Sequence, residues 1–143
     1  MNRSDIKERP LEFNSPMNDH APRILIVEDN RAMNRVVAVV LEQCGYEVTC
    51  EYDGESGWEA TQQTKFDLII TDQQMPRLLG QALCERLRNT EEYKTVPILM
   101  LTAKGMELDL ESLKKNLGIN QIFAKPFSPV AIAQAVEQEL AAV

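Results

Sequence analysis

The chain predicts an α/β domain, a doubly wound, five-stranded parallel sheet with five helices spread over its two faces. Three observations predict it. Short apolar runs alternate with longer stretches of helical period, and the connections between them are short. The central runs are also apolar without interruption, as strands covered on both faces are.

Taken in order, residues 24–27 (Ile-Leu-Ile-Val) form the first strand. The helix after it is placed by Met33, Val36, Val37, Val40 and Cys44 on one face, and Gly45 ends it. Residues 48–52 read as a short strand and 55–64 as a helix weakened by Gly57. Residues 68–71 (Leu-Ile-Ile-Thr) are the third strand, and 80–89 a helix with Leu83, Cys84 and Leu87 inward. Pro97 precedes the fourth strand, 98–101. Leu110, Leu113 and Leu117 align on the fourth helix, which Gly118 stops. Residues 122–124 are the fifth strand. Ser128 then caps a last helix with Pro129 at its first position, and Phe127 is placed to staple onto Ile132. Residues 1–21 hold Pro10 and Pro16 among Asn, Asp and Ser with almost no apolar period. They read as a flexible N-terminal extension, leaving the folded domain at 22–143.

Composition narrows the function. Of 143 residues, 22 are acidic and 15 basic, a net charge of −7 that gives little basis for phosphate-backbone binding. Direct nucleic-acid contact is not expected. No apolar run approaches the ~20 residues of a bilayer span, and the N-terminus lacks the apolar core of a secretory signal. No membrane insertion is expected, and the cytoplasm is the expected compartment. Cys44, Cys50 and Cys84 are odd in number and form no CxxC pair, so they read as reduced, mostly buried thiols. His20, the one histidine, lies in the extension.

The chemistry gathers at strand ends. Glu28 and Asp29 follow the first strand, Asp72 the third, Thr102 the fourth and Lys125 the fifth. A doubly wound sheet brings these C-terminal ends to one edge, where ligands bind. Like carboxylates held close repel one another, and a divalent cation relieves that repulsion. Oxygen ligands and a phosphate suit Mg²⁺, whereas no His or Cys in these motifs argues for zinc. Asp72 can then act as a nucleophile toward phosphorus. Thr102 and Lys125 would answer the charge of the transferred group. Singly, each residue has a plainer role: Asp29 or Asn30 as a helix cap, Asp72 as a turn residue, Thr102 as a strand terminus and Lys125 as a solvated charge. Their coincidence at four strand ends favours the site.

The motifs LIVEDN (25–30), ITDQQMPRLLG (70–80), MLTAK (100–104) and AKPFSP (124–129) occur in this order on those strands. Together they resemble the receiver domain of two-component response regulators, over residues 23–142. The resemblance implies the flavodoxin-like strand order 2-1-3-4-5. It implies that Glu28, Asp29, Asp72 and the backbone carbonyl of Gln74 hold Mg²⁺ (or Mn²⁺), and that Asp72 is the phosphoacceptor. Thr102 matches the switch hydroxyl, with the small Ala103 beside it, and Lys125 the phosphate-pairing lysine before a typically cis proline, Pro126. Met75, Pro76 and Gly80 match the loop after the acceptor. Gln74 and Lys104 stand at the two variable positions that influence water access to the acyl phosphate.

The implied function is a phosphorylation-dependent signalling switch, not a dedicated enzyme. Its phosphoryl donor would be a sensor histidine kinase or histidine phosphotransfer protein. Its output would pass to a downstream protein through the face of helix four, strand five and helix five, a phosphorylation-dependent dimer being one form of that contact. Two other readings are an aspartate-nucleophile phosphohydrolase and a phosphate-independent scaffold. The first usually needs a DxD motif, where Gln73 and Gln74 follow Asp72; the intact acids, Thr102 and Lys125 count against the second. Ile122 departs from the family, which often carries Tyr or Phe there, and Phe123 should face the other side of the sheet. Leu79 replaces a commonly polar residue beside the site, and Trp58 reads as a packed or partly exposed aromatic.

Overall fold

Five strands pair in parallel in the order β2-β1-β3-β4-β5: Arg23–Val27 (β1), Glu47–Glu51 (β2), Leu68–Asp72 (β3), Ile98–Thr102 (β4) and Gln121–Ala124 (β5). The helices are Arg31–Gln43 (α1), Gly54–Gln63 (α2), Gly80–Arg88 (α3), Leu110–Leu117 (α4) and Pro129–Ala141 (α5). This computed structural model describes residues 20–103 and 110–142. Apart from His20 and Ala21, the expected extension lies outside them, as does Lys104. Among the described residues, no helix is long and apolar enough to cross a membrane.

Side chains alternate along each strand and so feed two cores. Leu25, Val27, Ile69 and Met100 pack with Leu83, Leu87 and Leu113 on one face. Ile24, Ile26, Leu68, Ile70 and Leu99 pack with Val37, Leu41, Ile132 and Val136 on the other. Each such buried aliphatic side chain contributes roughly 1.5–3 kcal/mol. β3 and β4 are buried at every position, as their unbroken apolar runs require. At β5 the two faces separate as expected, Ile122 packing on the first core and Phe123 on the second.

Local chemistry sets the ends. Gly45 takes φ 98° after α1, a left-handed conformation that side chains resist. Asp53 caps α2 and Ser128 caps α5, with Pro129 at the first turn and Phe127 packed in the same core as Ile132. Leu113 is buried on α4 and Leu117 packs against the same core; the Leu110 side chain lies outside the described residues.

Two expectations are corrected. The inward face of α1 is Asn34, Val37, Ala38 and Leu41, so Val36 is 49% exposed. An apolar count passes over Asn34 and Ala38, although spacing of three, four and seven residues joins them to Val37 and Leu41. Cys44 is exposed, because the helix has ended by then and the residue serves as its C-cap; only Cys84 of the three thiols is fully buried. A 3₁₀ turn at Glu91–Tyr93, not expected from the sequence, buries Tyr93. Its hydroxyl lies at hydrogen-bond distance from the Phe66 N–H and the Thr61 and Thr64 carbonyls, tying α2 to the start of β3.

Candidate functional site

The parallel register aligns Val27 with Thr71, which sets Glu28 beside Asp72 at the C-terminal edge. Both are 1% exposed, while Asp29 is open to solvent. One carboxylate oxygen from each of the three lies within 4.8 Å of the others. Of the two alternatives for capping α1, Asn30 takes the position: its Oδ1 accepts from the Met33 N–H at 2.9 Å. Asp29 is thereby left to the site.

β5 lies two strand spacings from β3, about 10 Å, so only a long side chain can bridge them. Lys125 does. Its Nζ donates to Asp72 Oδ2 at 2.7 Å and stands 3.0 Å from Glu28 Oε1. The backbone holds it in place, the Lys125 N–H donating to the Thr102 carbonyl at 2.7 Å, and the Lys125–Pro126 bond is cis as expected. Thr102 is 6% exposed at the end of β4, one step beyond the Asp72–Leu101 pair. Gln74 approaches Asp72 through its backbone N–H, 3.4 Å from Oδ1.

Among the described residues, three acids face one ammonium, and the electrostatics reflect the imbalance. Burial, reinforced by the Asp72 charge, pushes Glu28 up to about 7 against the Asn30 N–H and Lys125, which favour its ionised form. Burial works against the Lys125 charge, but the hydrogen bond to Asp72 and the ion pair with Glu28 outweigh it and raise its pKa. Glu28 Oε1 is close enough to Lys125 for an ion pair yet lacks an aligned hydrogen bond. A buried carboxylate oxygen without an aligned donor, Glu28 Oε1, clustered with two further carboxylates, fits a hard divalent cation such as Mg²⁺ or Mn²⁺.

A pH dependence follows from Glu28. A carboxyl raised on folding contributes stability below its unfolded pKa, and that stability is lost as pH rises through the folded value. Without metal, the contribution of up to about 3 kcal/mol should disappear between about pH 4.5 and pH 7. Thermal melts in EDTA should therefore show a Tm that falls over this window. Mg²⁺ should offset the fall at the upper end, and Glu28→Gln should flatten it; a flat wild-type profile would contradict the assignment.

The loop after β3 is held from both ends. The buried Gln73 side chain accepts from the Gln81 N–H at 2.8 Å, capping α3 where Leu79 has no side-chain bond to offer. Arg77, at φ 73°, pairs with Asp53 at 3.5 Å, and the Gly54 N–H donates to the Pro76 carbonyl. Leu79 is 46% exposed at this rim, and Trp58 is half-buried with the Arg86 guanidinium over its ring. Sequence reasoning missed the roles of Gln73 and Asn34. Asn34 had a signal in its inward helical spacing, whereas a capping acceptor eight residues before the N–H it meets had none.

A response regulator receiver domain profile matches residues 24–137. The chain is 42% identical over 117 residues to hybrid signal transduction histidine kinase D of Dictyostelium discoideum, covering 81% of this chain but 7% of that protein. It is 32% identical over 119 residues to chemotaxis protein CheY1 of Helicobacter pylori, covering 80% of this chain and 94% of that one. Among solved structures, the receiver domain of a sensor histidine kinase from Pseudomonas aeruginosa, with a magnesium ion in its active-site cleft, superposes with TM-score 0.75 at 30% identity. The match covers 85% of this chain and 98% of that one.

Proposed function

The chain belongs to the response regulator receiver domain family, and on that premise we propose that it is a phosphorylation-controlled signalling switch whose acceptor is Asp72. The observation that carries this is the convergence of Lys125 on Asp72 and Glu28 in a cluster of three carboxylates. An Asp72 carboxylate oxygen attacks the phosphorus of a phosphohistidine on a kinase or phosphotransfer protein. The P–N bond breaks, the histidine nitrogen keeps the electron pair, and an acyl phosphate forms on Asp72. Glu28, Asp29, Asp72 and the Gln74 carbonyl would hold Mg²⁺ or Mn²⁺, which when bound would neutralise charge on the phosphoryl oxygens. Lys125 answers a second oxygen, releasing part of its hold on the carboxylates, and the Thr102 hydroxyl donates to a third.

Those changes pull on the ends of β4 and β5, beside α4. Moving a two-state population from 1:99 to 99:1 takes about 5.5 kcal/mol of differential stabilisation, and these new contacts are the source. Ile122 is β-branched and packed among apolar neighbours, so the relay on this face is displacement of packed side chains, not rotation of an aromatic ring. The face of α4, β5 and α5 is the output surface toward a protein partner, and the compartment is the cytoplasm. The hydrolase reading loses ground, because Gln73 is committed to capping α3 and no acid stands at 73 or 74.

Incubation with acetyl phosphate and Mg²⁺ should give a single hydroxylamine-labile phosphoryl adduct that decays slowly. EDTA should prevent it. Rapid multiple turnover would instead support the hydrolase, and no adduct with Mg²⁺ the scaffold.

A further inference from the structure

We infer that Asn34 is a positioning residue for the acid pair, holding the peptide that joins Glu28 to Asp29 so that Asp29 is aimed at the metal. The inference rests on the reading of Glu28, Asp29 and Asp72 as metal-holding residues. Asn34 is 1% exposed on the inward face of α1. Its Nδ2 donates to the Glu28 carbonyl and to the Glu51 carbonyl, each at 3.0 Å. Both neighbours are acceptors only, so it is the NH₂ end of the amide that must face them. The Glu28 N–H meets the same Glu51 carbonyl at 3.1 Å, which closes a bracket around the turn from the last residue of β2.

The Glu28 carbonyl belongs to the Glu28–Asp29 peptide. Fixing that plane fixes the N–Cα bond about which Asp29 turns, and the Asn30 N–H held by the Glu28 carboxylate restrains the peptide on its other side. Glu28 is further restrained by its own carboxylate, Oε2 of which accepts from the Asn30 N–H at 2.9 Å. Asp29, open to solvent, takes its aim from the peptide before it. Packing alone does not account for an amide here. Asn34 Oδ1 is buried without a hydrogen-bond partner, which costs stability, and the other inward residues of α1 are Val37, Ala38 and Leu41. Removing the two donors lets the peptide rotate and scatters Asp29 over several directions, so the loss should appear in metal affinity.

Mg²⁺ affinity, measured by calorimetry, tests this in the full chain with Asn34→Leu, Asn34→Ser, Asp29→Asn and Tyr93→Phe. Leu keeps the branched outline of Asn without its donors but is bulkier, and Ser supplies a smaller second variant should Leu impair folding. Both Asn34 variants should bind Mg²⁺ about tenfold or more weakly, the size expected when a partner behind a ligand is lost. The slower adduct formation should recover in excess Mg²⁺, because the acceptor itself is intact. Tyr93→Phe loses buried hydrogen bonds at the opposite end of the sheet and should bind Mg²⁺ as the wild type does. If it weakens binding equally, Asn34 acts through general stability and the inference falls. If Asp29→Asn loses affinity while both Asn34 variants keep it, the inference falls and the metal site stands. If Asp29→Asn binds like the wild type, the metal site itself is misassigned.

Discussion

Asp72→Asn should bring acyl-phosphate formation below detection while leaving the fold intact. An amide oxygen lacks the charge to displace a phosphohistidine or acetate leaving group, so the nucleophile is gone even though the side chain keeps its shape. Folding has little to lose. The Asn oxygen can still accept from Lys125, whose Nζ also keeps Glu28 at 3.0 Å. Removing the Asp72 charge also removes one of the influences that raise Glu28, which should then titrate at a lower pH. The expected profile is a Tm equal to or above that of the wild type in EDTA, weaker Mg²⁺ binding and no hydroxylamine-labile adduct. Mass spectrometry after acetyl phosphate treatment reads the adduct. Its persistence on this variant would place the acceptor elsewhere.

That separation of chemistry from stability explains why the site was so legible. A parallel sheet aligns its strand ends by topology, so a carboxylate after β1 and another at the end of β3 must become neighbours once both apolar runs are recognised. Lys125 was legible for the same reason, as the residue that follows β5 on the same edge, and its long side chain reaches across β4 to Asp72. The helices were harder. On α1 the face is defined by contacts that include a polar side chain, so counting Met33, Val36 and Val40 rotated it toward solvent. Asn34 turned inward because two backbone carbonyls await it, one from the residue after β1 and one from the last residue of β2. Gln73 is similar: its capping bond depends on a loop that returns the chain to its starting point, which local sequence does not announce. Periodicity could have placed Asn34 once polar residues were counted, but it could not have placed Gln73.

Gly80→Ala should damage both stability and phosphoryl acceptance, through contact with the backbone that carries Asp72. A Cβ at Gly80 would collide with the Asp72 carbonyl oxygen and lie 3.0 Å from both the Asp72 carbonyl carbon and Gln73 Cα. None of these is the end of a flexible side chain. The Asp72 carbonyl also accepts from the Thr71 hydroxyl at 3.0 Å, and the Gly80 N–H donates to the Gln73 carbonyl at 3.0 Å, so strand end and helix start are fastened together. Relief requires α3 to move away from β3 or Asp72 to be pushed along the edge. Overpacking of this kind costs about 1–3 kcal/mol, and more where backbone meets backbone. A displacement of about 1 Å at a reacting group can cost ~100-fold in rate. Urea denaturation should therefore show a lower midpoint, and the rate of adduct formation at saturating Mg²⁺ should fall by one to two orders of magnitude, about 10–100-fold. Gly45→Ala is the matched comparison. Nothing lies within 4 Å of its would-be Cβ, so it should pay only for the left-handed φ of 98°, about 1–2 kcal/mol, with the phosphorylation rate unchanged. Equal rates in the two variants would mean that the close approach of α3 to Asp72 does not hold the acceptor in place.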